Sequence, residues 1–158
     1  HEPGAALVAV DGNNIIVGYT QLSLSWVDAR ERLVDVLVLS PLAVAPTHQC
    51  QGIGSSLLTA ARQEAERLKA PLLFLEGDPR YYSRHGWRPA GELGFCPPSA
   101  RIPSLAFQVV TLPGYDPTTM RGALVYNDTF WSHDCVGLRG ARLDQWSRAG
   151  SNEPTHPA

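Results

Sequence analysis

The segment with the most chemical capacity is Val44-Ala-Pro-Thr-His-Gln-Cys-Gln-Gly-Ile-Gly-Ser-Ser-Leu57. An apolar run enters a loop carrying Gly52 and Gly54, and an amphipathic pattern opens there. A helix that begins in such a loop presents unpaired N–H groups and the positive end of its dipole. Glycines without Cβ let a phosphate approach the backbone, and Ser55 and Ser56 add hydroxyl donors. The chemistry is that of an anion cradle sized for a pyrophosphate. The GK[ST] ending of the nucleotide-binding P-loop is absent, and the spacing is not GxGxxG. A strand-to-helix turn that binds nothing is the competing reading.

The elements that must hold this loop are legible on both sides. Ala5–Val10, the turn Asp11-Gly-Asn-Asn14 and Ile15–Trp26 read as a β-hairpin. Leu33–Ala45 is almost wholly apolar, which predicts a central strand covered on both faces. Pro41 has no N–H for a ladder, so it predicts a bulge or a local parting of neighbours. Ile53, Leu57, Leu58, Ala61, Ala65 and Leu68 recur at three- and four-residue spacing, which predicts a helix over 52–69, ended by Pro71. Leu72–Leu75 is a second buried strand ending at Glu76-Gly77. Asp78-Pro79 starts a short helix that stops at Gly86. Residues 89–104 hold four prolines and read as loop. Ala106–Leu112 alternates as a strand, and Ala123–Tyr126 is a further short one. The pattern is α/β. A right-handed crossover through one helix makes the strands ending at Ala45 and starting near Leu72 parallel neighbours. From Ser132 apolar density falls, and 147–158 reads as a disordered tail.

Gln49-Cys-Gln-Gly-Ile-Gly54 fits the Q/R-x-x-G-x-G/A pattern of the GNAT acetyltransferase superfamily. About 30 residues on, Tyr81-Tyr-Ser-Arg-His-Gly-Trp87 resembles that family's (F/Y)Y-x-x-x-G-(F/W) segment. Gly77-Asp-Pro-Arg-Tyr-Tyr82 looks most like a bacterial N-acetyltransferase subgroup. The resemblance covers roughly residues 5–131, giving a domain at 1–131 and an extension at 132–158. It implies the acyl-CoA N-acyltransferase fold, a mixed and mostly antiparallel sheet with flanking helices. It further implies acetyl-CoA as cosubstrate, with pantetheine along Ala43 and Val44 and the pyrophosphate on Gln49, Cys50, Gln51, Gly52, Ile53, Gly54, Ser55 and Ser56. The acetyl group would pass directly to an amine of a small molecule or peptide, with no metal. The family also begins with a strand and one or two helices that match nothing here. The intact hairpin and central strands would lack cover without them, so they are expected upstream of His1. A homodimer is compatible with the resemblance.

Direct transfer needs a base for a protonated amine, a donor for the developing oxyanion and a proton for the departing thiolate. The family pattern gives the last role to Tyr82. A phenol near pKa ~10 and a thiol near ~8.5 make that transfer uphill but feasible. Glu76, at a strand end, is the candidate base. Asp78 reads as an N-cap, His48 and His85 as surface residues, Asp35 as a hydrogen-bonded structural group and Cys50 as packing rather than a nucleophile. A non-catalytic acyl-CoA sensor would use the same cradle, and a plain α/β domain would bind no CoA.

Composition limits the alternatives. The 158 residues suit one domain with a real core, at 44% apolar and 18% charged. Thirteen basic against fifteen acidic residues, formally −2, argue against a nucleic-acid binder. No run approaches the ~18 apolar residues of a membrane span. No charged-then-apolar leader opens the sequence. Three cysteines without CxxC spacing predict neither disulfides nor structural zinc, but reduced thiols in a cytoplasm.

Overall fold

The computed structural model describes residues 4–150. Strands β1 (Ala5–Val10), β2 (Ile16–Ala29) and β3 (Leu33–Val44) form an antiparallel meander. Helix α1 (Ile53–Arg67) then crosses to β4 (Leu72–Glu76), which lies parallel to β3. Next come helix α2 (Pro79–Tyr82), β5 (Arg88–Pro89), β6 (Phe107–Thr111), β7 (Gly122–Val125), α3 (Asp128–Ser132) and α4 (Ala141–Gly150). The sheet order is β1-β2-β3-β4-β6-β5, and β7 pairs with the far half of β2. Among the described residues the β3–β4 pairing is the one parallel pairing between strands, so the sheet is mixed and mostly antiparallel, as the resemblance implies. Among the described residues no helix is long and apolar enough to cross a membrane.

The unbroken apolar runs are explained by cover on both faces. On one face Val34, Val36, Val38, Leu72 and Phe74 pack with Phe95, Ile102, Phe107, Tyr126, Phe130 and Val136. On the other, Leu37, Leu39, Leu73 and Leu75 meet Leu58, Ala61 and Ala65 of α1, with Trp87 and Val110. β6 is buried along both faces, Gln108 included, although its alternation is the pattern of a strand with one wet face. The proline-rich loop contributes Phe95 and Ile102 to the core, so it is a structural cover as well as a connection.

Pro41 marks the feature that matters for the site. Between paired positions Leu22↔Leu39 and Thr20↔Leu42, β3 takes one more residue than β2. The extra residue is a bulge at Ser40–Pro41, and the buried Thr20 hydroxyl donates to the Pro41 carbonyl at 2.9 Å. β3 and β4 pair only at Leu37↔Leu73 and Val38↔Phe74. Beyond them the strands part, and the stretch from Leu39 to Val44 has no β4 partner.

The C-terminal expectations change. Phe130 and Val136 are core residues, so the packed body runs past the expected boundary at 131. Ser147–Gly150, expected in a disordered tail, belong to α4. The rest of that tail, 151–158, lies outside the described residues.

Candidate functional site

Where β3 and β4 part, an open groove of about 300 Å³ runs past the start of α1. Leu42 and Val44 form one wall, His48, Gln49 and Cys50 the rim, and Ile53 and Gly54 the helix end. Tyr81 and Tyr82 of α2 close the far side.

The loop is held by its own side chains. Gln49 Nε2 donates to the Val44 carbonyl at 3.0 Å, and Gln51 Nε2 to the Thr47 carbonyl at 3.3 Å. Both glutamine amides thus brace the turn rather than reach outward. Cys50 and Gly52 take left-handed backbone, φ +59 and +83, which turns the chain into α1. The N-cap Gly52 offers no side-chain acceptor, and the first internal bond is Ser56 N–H to the Gly52 carbonyl at 3.0 Å. The N–H groups of Ile53, Gly54 and Ser55 precede it and have no acceptor one turn back.

The two glycines have different uses. A Cβ on Gly52 would meet nothing within 4 Å, so the approach to the helix end is open there. A Cβ on Gly54 would stand 2.6 Å from Tyr81 Oη. What comes close to Gly54 in this structure is a tyrosine hydroxyl.

Of the expected binding residues, Val44, Gln49, Cys50, Ile53 and Gly54 line the groove. Ala43 points to the opposite side of β3, paired across from Tyr19, and is exposed. Gln51, Gly52, Ser55 and Ser56 flank the groove without lining it. Cys50, expected to pack, is exposed on the rim. Asp35 is exposed rather than buried in its strand. Asp78 is the expected N-cap, accepting from Arg80 N–H at 2.9 Å, and the Arg80 guanidinium holds its carboxyl below the usual range. His48 lines the groove with Nδ1 2.9 Å from the Thr47 hydroxyl, and His85 lies against the Tyr81 ring.

Tyr82 and Glu76 occupy opposite faces of one strand end. The Tyr82 ring packs edge-on to Tyr81 and Trp87, over the face of Leu73 and Leu75. Burial, aided by Tyr81, pushes its phenol up to about 12, so it keeps its proton through the neutral range. Glu76 shares the other face with Leu72 and Phe74. Its Oε1 accepts from Tyr126 Oη at 2.9 Å, and Gly137 N–H reaches Oε1 and Oε2 at 3.3 and 3.1 Å. Burial outweighs these bonds and the nearby Arg101, and raises the carboxyl above its ordinary value. Burial also raises the Tyr126 phenol, with the Glu76 charge adding to it. The structure therefore does not bring Tyr82 and Glu76 together, and Glu76 is not among the groove residues.

Sequence reasoning missed Tyr126, Gly137 and Gln108, whose positions follow from tertiary packing. Among the described residues no cluster of His, Cys, Asp and Glu is placed to hold a metal ion.

Residues 2–89 match the family model of the acetyltransferase (GNAT) domain. A curated relative, the uncharacterized N-acetyltransferase YjhQ of Escherichia coli strain K12, is 34% identical over 89 residues. That match covers 49% of each protein, so the chain spans about half the length of the relative. Among solved structures, the GNAT family N-acetyltransferase YhbS from Escherichia coli, in complex with CoA, superposes with a TM-score of 0.71 at 25% identity. The superposition covers 79% of this chain and 68% of that one. A GNAT family acetyltransferase from Brucella melitensis, in complex with acetyl-CoA, shares the fold with a TM-score of 0.60 at 23% identity, over 79% and 67%.

Proposed function

This chain belongs to the GNAT acetyltransferase family, and from that premise we propose that it moves an acetyl group from acetyl-CoA to an amine of a small molecule or peptide. The observation that carries the reading is the groove itself. An unpaired strand edge, an uncapped helix N-terminus and a protonated phenol face one space. A Cβ on Gly52 would meet open space, as a pyrophosphate resting on that backbone requires.

In this reading acetyl-CoA supplies the activated thioester. The N–H groups of Ile53, Gly54 and Ser55, with Gly52, hold the pyrophosphate, and Ser55 and Ser56 add hydroxyls at the cradle's edge. The turn braced by Gln49 and Gln51 keeps the cradle in shape. The open edge of β3, through the Ala43 and Val44 backbone, orients the pantetheine arm. Tyr82 donates its hydroxyl proton to the sulfur as the C–S bond breaks and the N–C bond forms. Because this phenol is a weaker acid than a thiol, the proton crosses only as charge builds on the sulfur.

Glu76 remains the candidate base, and its engagement supports a second reading. Both its oxygens already accept bonds on the face away from Tyr82. A chain that binds acyl-CoA without transferring the acyl group needs no base. Thiol release from acetyl-CoA, measured over a panel of amines and peptides, separates the two. Release that depends on one amine class and collapses in Tyr82→Phe supports the enzyme. Tight CoA binding without release across the panel supports the sensor.

A further inference from the structure

We propose that Gln108 is a positioning residue for Tyr82, acting through the backbone of Gly77. The inference rests on the reading of Tyr82 as the proton donor.

Gln108 sits inside β6, fully buried in an unbroken run of buried residues from Phe107 to Val110. An amide there is costly, because each polar atom taken from water must find a partner. One atom does: Nε2 donates to the Gly77 carbonyl at 3.3 Å. The other, Oε1, is buried with no partner. An orphaned acceptor of this kind costs about 1–3 kcal/mol. An apolar side chain of similar volume would avoid that cost, so the amide is retained for the bond it makes.

That bond falls at a sensitive point. Gln108 lies directly across from Leu75, so its side chain is on the Leu75 face, where Tyr82 also packs. Gly77 follows the last residue of β4 and is held twice: its N–H donates to the Ala106 carbonyl at 2.9 Å, and its carbonyl accepts from Gln108. A Cβ on Gly77 would run into the Tyr82 ring. The ring therefore rests on the Gly77 backbone. One residue later Asp78 caps α2, and its carbonyl accepts from Tyr82 N–H at 3.1 Å. Gln108 thus fixes the peptide that supports the ring from below and leads into the helix that carries it. If this bond is lost, the hydroxyl is free to drift, and a misplacement near 1 Å costs about 10²-fold in rate.

The test uses Gln108→Met, which removes both amide groups at similar volume, in the full chain. Three results are expected. The melting temperature holds or rises and acetyl-CoA affinity by calorimetry is unchanged, while kcat falls about 10²-fold. Gln108→Met adds no further loss in a Tyr82→Phe background, because the two act on one step. Amide hydrogen exchange at Gly77–Tyr82 speeds up while that of Phe107–Thr111 stays slow. Unchanged exchange at Gly77–Tyr82 overturns the inference, as does an additive loss in the double variant. An impaired Tyr82→Phe beside an unimpaired Gln108→Met also overturns it but leaves the proposed chemistry standing. A fully active Tyr82→Phe instead removes the proton-donor reading and this inference with it. Should Gln108→Met not fold, Gln108→Asn keeps a buried amide too short to span to Gly77, and the same measurements decide.

Discussion

Burial raises the pKa of both candidate proton-transfer groups near the end of β4, the Tyr82 phenol and the Glu76 carboxyl, with different consequences for each. Tyr82, pushed up to about 12, is a reserve of one proton at any working pH. Tyr82→Phe keeps the ring that packs on Gly77 and removes only that proton. Steady-state kinetics should show kcat reduced by about 10²–10⁴-fold, the usual worth of a positioned acid, with CoA affinity little changed. Tyr81→Phe should cost far less in kcat, since that hydroxyl lies at Gly54. Equal losses in the two variants would refute the assignment. Glu76 makes a stability prediction with a definite sign. Below its ordinary value of 4.5 the carboxyl is protonated in both folded and unfolded chains. Above it the unfolded chain releases the proton first, because the folded value is raised. Stability therefore drops as pH rises through the folded value. Tyr126 and Arg101, which face the carboxyl, moderate that loss without reversing it. Glu76→Gln removes the titration, so urea melts should show its stability relative to the parent improving from pH 4 toward neutrality. A difference that stays constant with pH would show that Glu76 titrates alike in both states.

At the scale of elements, the N-terminus of α1 is defined by two glycines that no other residue replaces equally. Gly52 needs left-handed backbone, which costs a residue bearing Cβ about 1 kcal/mol or more. Gly54 needs no such freedom, but it leaves space for Tyr81. Gly54→Asp puts a carboxylate at the helix end and pushes on that tyrosine, so calorimetry should find acetyl-CoA binding weakened at least tenfold, beyond a simple loss of charge balance. Unchanged affinity in a folded variant would move the pyrophosphate elsewhere. These elements were legible in the sequence because their signals are local: the stripe of α1, the Asp78-Pro79 start, the Gly86 stop, and the proline that forces the β3 bulge. The buried Gln108 and the Glu76–Tyr126 bond were not legible. Each depends on which distant segment covers a strand, and the residue's own neighbours do not carry that. The exposed Asp35 shows the converse, since a charge inside an apolar run lay at the margin of the cover.

Across the whole molecule, the segment after β7 is a working part of the core, and its contribution can be measured by truncation. Phe130 and Val136 fill the face opposite α1, at 8% and 1% exposure. Asn127 Nδ2 donates to the Leu24 carbonyl at 2.6 Å, and Arg101 Nη1 to the Val136 carbonyl at 2.6 Å. Leu138 N–H returns to the Arg101 carbonyl at 2.9 Å, and Gly137 N–H binds Glu76. Two large side chains buried at about 1.5–3 kcal/mol each amount to about 3–6 kcal/mol. That is a large part of the 5–15 kcal/mol typical of a whole domain. A chain ending at Tyr126 should therefore melt on the order of 10–20 °C lower or fail to stay soluble, because it also leaves Glu76 without Gly137. A chain ending at Gly140 keeps every one of these contacts and loses residues 141–158, which include α4 with its half-buried Leu143 and Trp146. Its melting temperature should stay within a few degrees of the parent. If both truncations melt like the full chain, the segment merely lies on the surface. If both fall together, residues 141–158 are the part that holds it down.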